Sequence, residues 1–196
     1  RAFTAGVWTQ EPSGLTDFTP FNDAASNPIA VIEEWKEYML QSTGKEPNIL
    51  IMGVAVKRYL KENPDMIDRI KYTQRGTLNN ELIAALFEIE QVRVVRSVYN
   101  AAAEGATDDF QFIADPNAML LAYIDPNPTI DSATAIARFS WNGLIPGMTN
   151  DMGGVIERGR DDRAHSDWFQ DRQAYDIRVI SQDLGVFFQN AVVPVS

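Results

Sequence analysis

The sequence predicts an α+β protein, with helices and strands interspersed through the first half and strands dominating the second. Three observations predict this class. Apolar residues recur at helical spacing after Pro28 and again after Thr77. Short apolar runs bounded by Pro, Gly and Asn, such as 48–52 and 118–124, read as strands. Beyond Gly105 extended candidates follow one another with turn residues between them, an order that argues against a doubly wound parallel sheet. A chain of 196 residues has room for one large domain or two small interlocked ones.

The elements follow in order. Residues 1–27 are punctuated by Pro12, Gly14 and Pro20 and read as irregular, with one short strand expected between Phe3 and Gln10. A helix starts with Ser26 or Asn27 as N-cap and Pro28 in the first turn, where a missing N–H costs nothing. Ile29, Ile32, Trp35 or Lys36, and Met39 form its stripe, Tyr38 widens it, and Gly44 ends it. Asn48 to Met52 is a buried strand. Gly53 leads into a helix ending near Leu60, and Asn63-Pro64 opens a short one through Ile70. Thr77 is the expected cap of a further helix in which Leu78, Leu82, Ala85 and Leu86 share a face. Val92, Val94 and Arg96 then alternate with Arg93, Val95 and Ser97, the period of a strand.

Further strands are expected at 110–114, 118–124, 135–141 and 155–160, with Pro126, Pro128, Pro146 and Gly153-Gly154 at the turns. A last extended segment covers 174–180 and resumes over 186–192. There is no internal repeat and no low-complexity segment.

Composition excludes several functions. The chain has no cysteine, so disulfide scaffolds, zinc ribbons, iron–sulfur sites and thiol nucleophiles are ruled out. The formal net charge is −10, and basic residues are interleaved with acids, as in Arg158, Arg160, Asp161, Asp162 and Arg163. Sequence-specific nucleic-acid binding, which needs clustered cations to displace counterions, is not expected. The apolar runs are too short to span a membrane.

Catalytic signatures are equally sparse. His165 lies among Asp161, Asp162 and Asp167 and reads as a loop histidine in a solvated stretch; the rival is a general base oriented by a carboxylate. No G-x-S-x-G elbow, H-E-x-x-H or G-x-G-x-x-G occurs. Asp108-Asp109 and Asp161-Asp162 lack EF-hand spacing and read as solvated loop acids. Ser42 to Glu46 is similar to the end of a P-loop, but Glu46 stands where Ser or Thr would bind magnesium, and the segment follows a helix. Accordingly no catalytic, cofactor-binding or metal-binding residue is assigned. Trp8, Trp35, Trp141 and Trp168 fit either a core or protein–protein contacts.

Several segments together carry a family resemblance. Ser26-Asn27-Pro28 opens a helix, and Thr43 to Gly53 runs through a turn, Pro47-Asn48, an apolar strand and a glycine. Val56 to Pro64, Ile67 to Tyr72, Leu82 to Val95 and Ser97 to Asn100 continue the order, and Tyr175 to Arg178 with Asp183 to Phe188 close it. This succession, over most of residues 3–192, resembles the major capsid proteins of tailed phages and prophages with the Hong Kong 97-like fold.

The resemblance implies an axial domain with a central mixed β-sheet flanked by helices, and a peripheral domain with a long spine helix. Residues 1–45 would supply part of the peripheral domain, with the spine at 28–42. Residues 46–170 would form the axial domain, and 171–196 the closing strands that return toward the peripheral domain. Family members carry an N-terminal arm and an extended hairpin ahead of this region, so the chain is expected to be N-terminally truncated relative to them. The implied function is a self-assembling structural subunit, not an enzyme, whose pentamers and hexamers enclose packaged DNA. Its partners would be its own copies, with scaffolding and portal proteins and no cofactor, in the virion and, during assembly, the host cytoplasm. The alternatives are a small hydrolase or metal-dependent enzyme using His165 with a nearby Asp, and a non-capsid interaction module.

Overall fold

Asn27 Oδ1 accepts a hydrogen bond from the Ala30 N–H at 3.1 Å and starts helix α1 (Pro28–Thr43), as the sequence predicts. Gly44 ends the helix in the left-handed region (φ 70°), and its N–H donates to the Leu40 carbonyl. Ile29, Ile32 and Met39 are buried along one stripe, while Tyr38 lies on the exposed side and does not widen it. The computed structural model describes residues 2–71, 79–129, 131–141, 144 and 154–193. It separates into two units, Arg1–Ala135 with Ser181–Ser196, and Ile136–Ile180.

The first unit is built on a four-stranded mixed sheet. Its strands are β1 (Ile49–Met52), β2 (Gln91–Val94), β5 (Met119–Ala122) and β10 (Gly185–Phe188), in the order β10-β5-β1-β2. β1 and β2 run parallel, and the crossover between them contains helices α2 (Val54–Glu62), α3 (Pro64–Ile70) and α4 (Asn80–Leu86). β5 is antiparallel to both β1 and β10. The register places Val186, Leu121, Leu50 and Val92 in one row, and Phe188, Met119, Met52 and Val94 in the next row on the same face. That face holds the core, with Ile29, Ile32 and Met39 of α1, Val56, Leu60, Met66, Ile83 and Phe87. At roughly 2 kcal/mol per fully buried large apolar side chain, this cluster is the main stabilising term.

At β10 the opposite face of the sheet is covered by N-terminal residues. Phe3 meets Phe187 edge-on at 5.3 Å, and Trp8 lies so close over Gly185 that a Cβ there would stand 2.2 Å from the indole. The strand expected within 3–10 is reduced to a single bridge, Gln10 to Val186. The reason is Glu11, whose carboxylate accepts the N–H groups of Gly6, Val7 and Trp8 at 2.8–3.0 Å and curls the segment into a turn. Those donors are then unavailable to a ladder.

The cap of α4 is Asn79, whose side chain accepts from the Leu82 N–H. Thr77 and Leu78 lie outside the described residues, as do Tyr72, Pro146 and Gly153. Ile83 is the buried side chain of α4, joined just past the helix by Phe87; Leu82 and Leu86 pack half-buried against the same core, and Ala85 is exposed. Lys36 of α1 reaches the end of α4, donating to the Phe87 and Glu88 carbonyls at 2.9 and 3.3 Å, a favourable place for a cation. Between β2 and β5 the chain forms a short ribbon of β3 (Val98–Asn100) and β4 (Phe110–Phe112).

The second unit consists of two antiparallel ribbons. β6 (Ile136–Ser140) pairs with β9 (Tyr175–Val179), and β7 (Gly154–Asp161) pairs with β8 (Ser166–Gln173). The sequence predicts no strand at 166–173. β8 is exposed at every position, so no half-buried alternation marks it.

Candidate assembly interface

The residues with chemical potential turn out to have structural roles. His165 sits at the β7–β8 turn with a left-handed φ of 48°, exposed and without a hydrogen bond to any described residue. Asp161 Oδ1 accepts the Arg163 and Ala164 N–H groups and shapes that turn. Asp162 and Asp167 both pair with Arg160, at 3.1 and 3.2 Å. The carboxylates around His165 therefore serve Arg160 and the turn, and none orients the imidazole. Asp108 and Asp109 belong to the β3–β4 connection: Asn100 donates to Asp108 and accepts the Asp109 N–H. Among the described residues no three His, Cys, Asp or Glu side chains come together as a metal site. No helix there is long and apolar enough to cross a membrane.

The motif residues act in packing. Asn48 extends the β1–β5 pairing beyond its last strand residue: its side chain donates to the Ile124 carbonyl at 2.8 Å and accepts the Ile124 N–H at 2.9 Å. Asn63 is buried; it caps α3 by accepting the Asp65 N–H and donates to the Ser26 hydroxyl at 2.8 Å. That bond ties the start of α1 to the start of α3. Gly53 is required by a close approach, since a Cβ there would lie 2.1 Å from the Pro116 carbonyl oxygen.

Glu11 and Lys57 have displaced proton affinities. Partial burial pushes the Glu11 carboxyl up, but the amides of Gly6, Trp8 and Val7 and the Gln189 side chain outweigh it and hold it below the ordinary value. Burial, with the nearby charges of Lys61 and Arg96, lowers the Lys57 ammonium. Lys57 donates to Asn80 at the start of α4.

The unusual surface is apolar. On the β3–β4 ribbon, Val98, Phe110 and Phe112 share one face, and all three are exposed, Phe110 by 66%. On β6–β9 both faces carry exposed large side chains. Tyr175 and Ile177 lie on one, with Arg138 stacked 4.3 Å from the Tyr175 ring centroid, and Phe139 lies on the other. Phe139, Trp141, Leu144 and Tyr175 also line an open hollow of about 430 Å³. On β7–β8, Ile156 and Phe169 point to one face and Trp168 to the other, where its ring lies against Gly159. Exposed apolar residues clustered on several open faces mark contact surfaces. The sequence signal for them was the adjacency of Trp168 and Phe169, which in a strand must face opposite sides.

No family model matches the chain. It is 33% identical over 88 residues to the major capsid protein of the Burkholderia phage BcepMu, a match covering 45% of this chain and 29% of the phage protein. A crystal structure of a phage-related protein from Bordetella bronchiseptica superposes with a TM-score of 0.81 at 21% identity, over 99% of this chain and 61% of that one. A protein of E. coli CFT073 proposed as a prophage capsid protein gives a TM-score of 0.55 at 15% identity, over 91% of this chain and 52% of that one. The chain thus spans less than two thirds of the length of each of these relatives. In sequence over part of its length, and in its α+β fold over nearly all of it, this chain is similar to phage and prophage proteins that include a major capsid protein.

Proposed function

We propose that this chain is part of the structural subunit of a phage or prophage capsid with the Hong Kong 97-like fold. The observation that carries the reading is the set of β-ribbons with large apolar side chains on open faces, in a chain similar to a phage major capsid protein. The subunit works by geometry and repetition, not catalysis. Each copy makes heterologous contacts that close into pentamers and hexamers, and these join into a shell around packaged DNA. Individual contacts are weak and numerous, so misplaced copies leave before closure. In this reading α1 is the spine of the peripheral domain formed by residues 1–45. Residues 46–170 are the axial domain, and 171–196 return toward the peripheral domain. Scaffolding and portal proteins are the expected partners, and the virion, after assembly in the host cytoplasm, is the site of action.

Sedimentation velocity of the full-length gene product tests this. Capsomers of five or six subunits, or much larger closed particles, support the reading. A stoichiometric complex with one unrelated partner, or a monomer at every concentration, overturns it.

A further inference from the structure

The two units differ in the side chains they present. Residues 136–180 contain six arginines, no lysine and seven acids. The rest of the chain has eleven basic residues against twenty acidic ones. The second unit is thus close to neutral, and the first carries nearly all of the net charge of −10. Arginine and aromatic residues without lysine are the composition of protein contact surfaces. The β7–β8 ribbon presents Ile156 (63% exposed), Phe169 (82% exposed), Arg158 and Arg160 on one face, together with Asp167, which pairs with Arg160, and Asp171, which accepts from Gln173. Arg160, Arg172 and Arg178 have carboxylate partners, whereas Arg158 has none among the described residues. A two-stranded hairpin open on both faces is marginal in water by itself and gains from being covered.

The matching surface is on α1. Its outer side exposes Glu33, Glu34 and Glu37, none of them in an ion pair among the described residues. Beside them Tyr38 and Leu40 are each 42% exposed, and Glu34, Glu37, Tyr38, Leu40 and Gln41 border an open hollow of about 480 Å³. The lengths also agree. Sixteen helical residues extend about 24 Å, and strands of eight residues extend about 26 Å. A second copy is the occupant that the charges select. Two acidic first units repel each other, whereas a near-neutral ribbon that exposes Arg158 meets the exposed glutamates of α1.

We propose that the β7–β8 ribbon of one copy lies along the outer face of α1 in the next copy. Ile156 and Phe169 cover Tyr38 and Leu40, and Arg158 pairs with Glu34 and Glu37. The two surfaces differ, so the contact is head-to-tail and propagates around a ring. The inference rests on the capsid-subunit reading and assigns one of its contacts.

The absence of native cysteine makes the test direct. The full-length gene product carrying Phe169→Cys and Leu40→Cys together is oxidised after assembly, beside each single variant. A ladder of covalent oligomers from the double variant, with no ladder from either single one, is expected. In parallel, Arg158→Glu and Glu37→Arg are each expected to lower particle yield about tenfold, and their combination to restore it to within about twofold. Both positions are exposed, and an unchanged circular dichroism spectrum checks the fold of each variant. Normal particles without the ladder, and indifferent to both charge reversals, would overturn this contact and leave the capsid reading intact. If the unmodified protein forms neither rings nor shells, the capsid reading fails and this contact with it. A ladder that appears only when a different protein is added would assign the ribbon to that partner and overturn the proposal.

Discussion

Replacing Asn48 by Ala removes both side-chain hydrogen bonds to Ile124, at 2.8 and 2.9 Å, while leaving the Asn48 backbone bonds to Ala122 and Gln91 in place. Ile124 is half-buried, so its N–H and C=O lose good partners without full access to water. At about 1 kcal/mol net for each bond, the expected destabilisation is about 2 kcal/mol. With a urea m-value of about 2 kcal/mol/M, the unfolding midpoint should fall by about 1 M. Tryptophan fluorescence is a suitable probe of the first unit. Trp8 is only 5% exposed and Trp35 is half-buried, whereas Trp141 and Trp168 are already 66% and 45% exposed. Asn48→Asp separates the two bonds, because it keeps the acceptor for the Ile124 N–H and sets an anion against the Ile124 carbonyl; it should be at least as destabilising as Ala. A midpoint for Asn48→Ala within about 0.2 M of the original, a shift too small for even one net bond, would refute the claim that this asparagine extends the sheet.

Three further outcomes follow from the same structure. The Glu11 carboxyl is held below its ordinary value, so the unfolded chain takes up its proton first as pH falls. Its stabilising contribution is complete above the ordinary carboxylate range and is lost as pH drops through the lowered folded value. Acid titration followed by Trp8 fluorescence should therefore show release of the N-terminal turn, and Glu11→Gln should weaken that turn even at neutral pH, by about 1–3 kcal/mol. Gly53→Ala forces a Cβ against the Pro116 carbonyl oxygen and should cost about 1–3 kcal/mol in urea unfolding; an unchanged midpoint would show that the loop at Pro116 yields freely. Shell yield of the full-length protein should rise as salt increases from about 0.01 to about 0.15 M, since screening reduces repulsion between acidic copies. Equal yields across that range, measured by light scattering, would count against this.

The parts of the fold legible in the sequence are those where a local signal and the tertiary environment agree. Asn27, Pro28 and Gly44 bound α1 by their own backbone chemistry, and the stripe of Ile29, Ile32 and Met39 meets the sheet as its period requires. β5 lies inside an apolar run because all four of its side chains are buried, and β1 because its positions alternate between buried and half-buried. Residues 3–10 were misread because a carboxylate at Glu11 captures three backbone donors, a capture that no propensity records. β8 was missed because a strand open on both faces has no inside and outside to alternate between. Asn79 competed with Thr77 as a cap, and both residue types favour that position. The exposed apolar faces depend on register across ribbons. That Val98, Phe110 and Phe112 share a face becomes visible only once the pairing is known.

Electron microscopy of the negatively stained full-length gene product, purified with and without the products of neighbouring genes, shows directly whether the subunit builds a shell. Uniform closed shells or regular rings of five or six subunits are expected. Small monodisperse particles under every condition would contradict the capsid reading.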